Sequence, residues 1–286
     1  VLGTLAASIV APLIFNDYWE IPLSIALSSA LAVFFTARGS EEKHRIIVHG
    51  LSYALIGLVL AVGYTYASRH NDEYRAVERN FYGTTKVQET DEYRSLMHGG
   101  TMHGLQYFSD EFKLAPAAYY VEETGLGRAI AYTRRNDPEK RISLAVVGLG
   151  AGMTAAYCKE DDALTYYEID RRILEIAQDE FSYLAHCPQA EVRFGDARVI
   201  LQKEKREETL GGYDIVAIDA FNDDTIPVHL ITREAIDLYR AHLSGEDGVI
   251  AVHISNRYLD LRPPLLAIAA ELGLSVIFVE TVSESE

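Results

Sequence analysis

ISLAVVGLGAG, residues 142–152, runs apolar and nearly unbroken into three glycines at alternate positions. A continuous apolar run reads as a strand buried on both faces. Gly148, Gly150 and Gly152 form a GxGxG loop that lets the backbone approach a ligand closely and that opens a helix. The next strand candidate, ALTYYEI (163–169), carries Glu168 at its end, 20 residues after Gly148. A carboxylate at the tip of a second strand accepts hydrogen bonds from both ribose hydroxyls. Met153 stands where a dinucleotide fingerprint carries its third glycine, so the loop suits a nucleoside without a pyrophosphate, such as S-adenosylmethionine. GDAR (195–198) ends a third strand. Asp196 there either accepts from an adenine amino group or caps the following helix, and both roles are compatible.

Working outward, further strands are expected at AEVRFG (190–195), YDIVAID (213–219), GVIAVHI (248–254) and LSVIFVE (274–280). Helices are expected at RRILEIAQDEF (171–181), HLITREAIDLYRAHL (229–243) and LDLRPPLLAIAAEL (259–272). Six strands with helical crossovers predict an α/β, Rossmann-like sheet of the S-adenosylmethionine-dependent transferase type over residues 116–286. Pro116 is placed to open a helix through AAYYVEETGLGRAIAYTRR, residues 117–135. Residues 71–115 alternate weakly and are broken by Gly83, Gly99, Gly100 and Gly104, which predicts a small unit of short strands. His98 and His103 flank its last glycine pair, where they serve a metal, a substrate or only the turn. Cys158 and Cys187 have no metal-ligand spacing and read as ordinary core or surface thiols, compatible with a reducing compartment, so no metal site is expected.

The first 70 residues are different in kind. Residues 1–15, 21–37 and 46–67 carry no Asp, Glu, Lys or Arg. The third run is long enough to cross a bilayer at ~1.5 Å per residue, and the second is at the short end of that range. Three transmembrane helices are therefore expected over residues 1–70, with Tyr18 and Trp19 suited to an interfacial belt. The chain starts with Val inside an apolar run, which predicts further membrane segment upstream. The alternative is a buried helical hairpin. Residues 1–66 hold only Asp17, Glu20, Glu41 and Glu42 against Arg38, Lys43 and Arg45, so nearly all of the net charge of −16 falls on the remainder. That acidity disfavours nucleic acid; it suits a small cationic partner or serves only solubility.

GLGAG, YEID, GDAR and IDAFNDDTIP, in this order and spacing, resemble the spermidine synthase (polyamine aminopropyltransferase) family, and more closely its membrane-fused spermidine synthase-like branch. The resemblance covers roughly residues 78–280. It implies that Glu168 holds the ribose and Asp196 the adenine, with Asp170 and Ala197 beside them. It implies that Asp219, at the end of strand YDIVAID, is the catalytic acid/base residue. Upstream, Gln106, Asp110-Glu111-Phe112 and Tyr119-Tyr120 resemble the stretch that lines the family's amine pocket, interrupted here by KLAPAA (113–118). In such a site Tyr120 hydrogen-bonds and walls off water, while Asp223 and Asp224 grip the far ammonium of a diamine. The expected partners are a cationic amine and the lipid bilayer of a bacterial-type inner membrane, with a homodimer left open; Lys and Arg counts do not decide the orientation, and the catalytic domain is placed on the cytoplasmic side because donor and amine are found there.

One position departs from the family pattern. Where the resemblance implies an Asp that grips the aminopropyl ammonium of decarboxylated S-adenosylmethionine, this chain has Ala151. The donor is therefore either the decarboxylated or the intact form. A small-molecule methyltransferase and a non-catalytic adenosyl-binding membrane subunit stand as alternatives to an aminopropyltransferase.

Overall fold

The computed structural model describes residues 2–38, 42–221, 226–256 and 259–281. It divides into two units, Val1–Glu89 and Thr90–Glu286.

In the first unit a short irregular helical segment precedes α1 (Glu20–Arg38) and α2 (Glu42–Glu73). The two helices approach closely where Gly63 meets Pro22; a Cβ on Gly63 would lie 3.2 Å from the proline Cβ. A hairpin of β1 (Tyr74–Asn80) and β2 (Gly83–Glu89) follows. The turn before α1 is pinned to this hairpin by ion pairs. Arg79 forks onto both Glu20 oxygens at 2.9 and 2.7 Å, and Lys86 reaches Asp17 at 3.2 Å. Tyr18, expected at a membrane interface, lies under the Arg79 guanidinium, 4.3 Å from its carbon.

Among the described residues no helix is long and apolar enough to cross a membrane, so they give no support to the expected transmembrane helices. The longest apolar stretch with described side chains, residues 49–65, falls short of the ~20 residues a span needs. Parts of both expected spans (residues 33–34, 36–37, 47–48 and 66–67) lie outside the described side chains.

The second unit opens with a hairpin of β3 (Tyr93–His98) and β4 (Thr101–Tyr107), as the glycine-broken alternation predicts. After α3 (Gly125–Thr133) come β5 (Ser143–Val147), β6 (Ala163–Glu168), α4 (Arg171–Glu180), β7 (Glu191–Phe194), α5 (Ala197–Arg206), β8 (Ile215–Ile218), α6 (Arg233–Ala241), β9 (Val249–Val252) and α7 (Arg262–Leu272). The five strands β5–β9 form one parallel sheet in the order β7-β6-β5-β8-β9. This is the doubly wound order, and its switch point lies between β5 and β8. Leu201, Val216, Ile218, Ala235 and Tyr239, all fully buried, anchor the core between the sheet and the helices on one face. The register Val147↔Ile218↔Val252 levels the carboxyl ends of β5, β8 and β9. Gly148, Asp219 and His253 therefore follow them side by side.

Three expectations need correction. The helix expected from Pro116 begins only at Gly125, because Ala118 takes φ +50° and the chain makes a single tight turn at Ala118–Tyr120 first. The glycine loop opens not a long helix but one short 3-10 turn, Met153–Tyr157, after Gly152 at φ +78°. The expected sixth strand does not form. Residues 274–281 make no ladder with β9; Leu274 instead bonds back to Ala269 and packs on the core, while Ile277 is 87% exposed.

A fourth correction concerns the cysteines. Cys158 and Cys187 are joined in a disulfide, with Cα atoms 5.9 Å apart, and neither is a free thiol. The bond ties the end of the 3-10 turn to the end of a short helix, Tyr183–His186, whose Leu184 packs against Gly152. The two cysteines are separated by 29 residues, a spacing that carries no signal of pairing in the sequence. Closing a loop of that length restricts the unfolded chain by about 3–4 kcal/mol. Cys158→Ser with Cys187→Ser is expected to lower the unfolding free energy by that amount in denaturant titration. A loss under about 1 kcal/mol would show that the bond does not constrain the unfolded chain.

Candidate active site

The glycine loop is shaped by what crowds it. Gly148 (φ +99°) lies against the Asp219 carbonyl, where a Cβ would sit 2.4 Å from the oxygen. Gly150 (φ +53°) meets the His103 carbonyl at 2.7 Å by the same measure. No side chain fits at either position, so the loop holds β5, β8 and β4 at backbone contact. Ala151 is almost fully buried beneath Gly104 of β4, whose own Cβ would come within 2.6 Å of the alanine methyl.

Glu168 closes β6 as expected, and it faces this loop. One carboxylate oxygen accepts from the Leu149 N–H at 2.9 Å and the other from the Asp170 N–H at 2.8 Å. Burial pushes its carboxyl above the usual range, and the two backbone donors oppose that push. A carboxylate has about four acceptor sites, so a vicinal diol can still be held. Asp170 is buried and caps α4, accepting from Arg172 N at 2.9 Å. Asp196 caps α5 through Val199 N at 3.0 Å, and its second oxygen bonds His229 Nε2 at 2.8 Å. Ala197 is the buried first residue of α5. The capping role of Asp196 is thus present, and His229 is a partner that sequence reading did not find.

Across the switch point lies an aromatic and acidic cluster. The Tyr120 hydroxyl donates to Asp219 Oδ2. Asp219 Oδ1 bonds His253 Nδ1 at 2.6 Å. The Tyr119 ring lies 4.7 Å from Tyr120 and 4.6 Å from His253, and Phe221 closes the other side of the imidazole at 4.9 Å. Tyr157 donates to the Tyr120 carbonyl and fixes that turn. Burial raises the Asp219 carboxyl, while its bond to His253 pulls the other way. Burial and the nearby Asp219 charge push the Tyr119 phenol well up. The cluster is a desolvated acid whose two oxygens are both taken by protein donors.

Tyr119, Tyr120 and Asp219 are therefore brought together. Gln106 is not part of that cluster: its amide nitrogen donates to Lys113 O and Ser182 Oγ, both at 2.8 Å, and its oxygen accepts from Ser182 N at 3.0 Å. Asp223 and Asp224 lie outside the described residues. His98 and His103 meet edge to face with ring centres 5.7 Å apart, and among the described residues no group of three or more His, Cys, Asp or Glu could hold a metal ion. His253 was missed by sequence reading, although a signal existed. GVIAVHI follows YDIVAID in a parallel sheet, and aligning the two strands sets His253 beside Asp219.

No family model matches the chain. A polyamine aminopropyltransferase of Vibrio vulnificus is 33% identical over 112 residues, 38% of this chain and 36% of that protein. A probable polyamine aminopropyl transferase of Bifidobacterium longum is 26% identical over 165 residues, 57% of this chain and 33% of that protein. The chain thus spans about a third of the length of these relatives, both transferases by name. Among solved structures, a probable spermidine synthase from Corynebacterium glutamicum is similar with TM-score 0.45 and 15% identity, over 59% of this chain and 60% of that one. A SAM-dependent methyltransferase from Agrobacterium tumefaciens gives TM-score 0.39 and 12% identity, over 65% and 58%.

Proposed function

We propose that this chain is a spermidine synthase-like transferase that moves an aminopropyl group from decarboxylated S-adenosylmethionine to a polyamine-type amine. The observation that carries the reading is the Tyr119–Tyr120–Asp219 cluster, set against the glycine loop where Gly148 touches the Asp219 backbone. Open α/β sheets bind their ligands at this switch point, beyond the strand ends. A sulfonium donor held over Gly148–Gly152 and Glu168 would present its carbon toward a buried carboxylate and two aromatic rings, which suit a cationic amine. The leaving group is a neutral thioether, so positioning and removal of one proton are the main demands on the protein.

Ala151 favours a second reading. The buried methyl beneath Gly104 leaves no carboxylate at this place to grip an aminopropyl ammonium, so intact S-adenosylmethionine and methyl transfer remain in competition. Incubation of the full chain with each donor and a panel of amines, followed by mass spectrometry, separates the two. Methylthioadenosine is expected from the decarboxylated donor. Release of S-adenosylhomocysteine from the intact donor would favour the methyltransferase, and no product from either would leave an adenosyl-binding subunit.

Membrane anchoring is part of the proposal. It is supported by the uncharged runs of the first 70 residues and by Leu13, Leu27, Leu51, Leu58 and Val62, each more than half exposed. The full chain is expected to sediment with membranes and to resist carbonate extraction; release by carbonate would remove the anchor. The Cys158–Cys187 bond favours an oxidising compartment for the second unit over the cytoplasmic side expected from sequence.

A further inference from the structure

Both oxygens of Asp219 are already engaged, one by the Tyr120 hydroxyl and one by His253 Nδ1 at 2.6 Å. An ionised carboxylate accepts at both places, so the bond assigns the ring proton to Nδ1. That leaves Nε2 as an acceptor, with no hydrogen-bond partner among the described residues. The imidazole is fixed by its environment. Its backbone N–H bonds Ile218 O at 3.0 Å, and its ring is held between Tyr119 and Phe221 at 4.6 and 4.9 Å. It is still reachable, with 23% of its side chain exposed against 11% for Asp219. The titratable groups packed around it among the described residues are Asp219, Tyr119 and Tyr120.

We propose that His253 Nε2 is the proton acceptor for the attacking amine, and that Asp219 is the positioning residue that orients and charges the pair. The inference rests on the transferase reading above. An ammonium R–NH3+ gives one proton to Nε2, and the imidazolium formed is held by the Asp219 carboxylate. The freed nitrogen lone pair then forms a bond to the carbon beside the sulfonium. The C–S bond breaks with its electron pair on sulfur, yielding neutral methylthioadenosine and a secondary ammonium product that keeps its remaining two protons. The proton on His253 leaves to solvent before the next turnover.

The test uses the full chain and two readouts. In the first, 15N spectra of histidine-labelled protein read which ring nitrogen of His253 carries the proton in the neutral ring; Nδ1–H with the lone pair on Nε2 is expected. In the second, His253→Ala is expected to lower kcat by about 10²–10⁴ with unchanged donor affinity, and added imidazole is expected to restore part of the rate. Turnover by His253→Ala near the wild-type level, or a neutral ring protonated on Nε2, overturns the role of His253 while leaving the transferase reading intact. A wild-type chain that forms no methylthioadenosine with any amine overturns the transferase reading and this role together.

Discussion

Asp219→Asn is expected to reduce turnover by about 10²–10⁴ while leaving donor affinity within about twofold of wild type. The substitution keeps size and shape but replaces one acceptor oxygen by a donor. Two protein donors point at this group, the Tyr120 hydroxyl and His253 Nδ1–H. If the amide nitrogen turns to the ring, Nδ1 must accept, and the imidazole proton is forced onto Nε2, where it blocks proton uptake. If it turns to Tyr120, the ring bond survives but the charge that stabilises an imidazolium is gone. Either way kcat falls more than KM rises. Stability should move in the opposite direction. Burial raises the Asp219 carboxyl in the folded chain, so its contribution to stability is present at low pH and is lost as pH rises through the folded value. Removing the titration therefore raises Tm of the variant relative to wild type toward neutral pH. Turnover at the wild-type level would leave Asp219 as an acid that only closes its strand.

The parallel sheet was legible because its strands are buried on both faces. ISLAVVG, ALTYYEI and YDIVAID have few polar positions, and the structure places them as β5, β6 and β8 at the centre. The edges were harder to read. LSVIFVE is as apolar as a strand, yet residues 274–281 find no ladder, and periodicity alone does not reveal whether a partner is present. The helix expected from Pro116 failed for a local reason. Its apolar pattern continues through Tyr119 and Tyr120, but those rings are committed to Asp219 and His253, and the backbone turns to deliver them.

The candidate site divides along the same line. Spacing placed Gly148, Glu168 and Asp196 at the strand ends and in the glycine loop, and the resemblance singled out Asp219. What could not be read were contacts between elements far apart in the chain. Asp196 with His229, Asp219 with His253 and Cys158 with Cys187 are separated by 33, 34 and 29 positions. The polar atoms of Gln106 are engaged by Lys113 and Ser182, and the Ser182 contact spans 76 positions.

The other large effect is expected at Glu168. Two charge-assisted bonds to ribose hydroxyls are worth roughly 1.5–3 kcal/mol each, so Glu168→Ala is expected to weaken adenosyl-ligand binding by about 3–6 kcal/mol, beyond the reach of ordinary calorimetry. The loss has a second source that does not depend on ligand. The Leu149 and Asp170 N–H groups that now donate to Glu168 would be orphaned in a buried place, costing about 1–3 kcal/mol each unless water enters. Leu149 belongs to the loop that Gly148 and Gly150 hold against neighbouring backbone, so the ligand-free variant should unfold at lower denaturant. Glu168→Gln separates the two contributions. Its oxygen can still accept from one N–H, so it should recover part of the stability, but its amide nitrogen sets a donor where both oxygens now accept, so binding should stay weak. A Glu168→Gln chain that binds the ligand as tightly as wild type would remove Glu168 from the ribose and leave it as the acid that shapes the glycine loop.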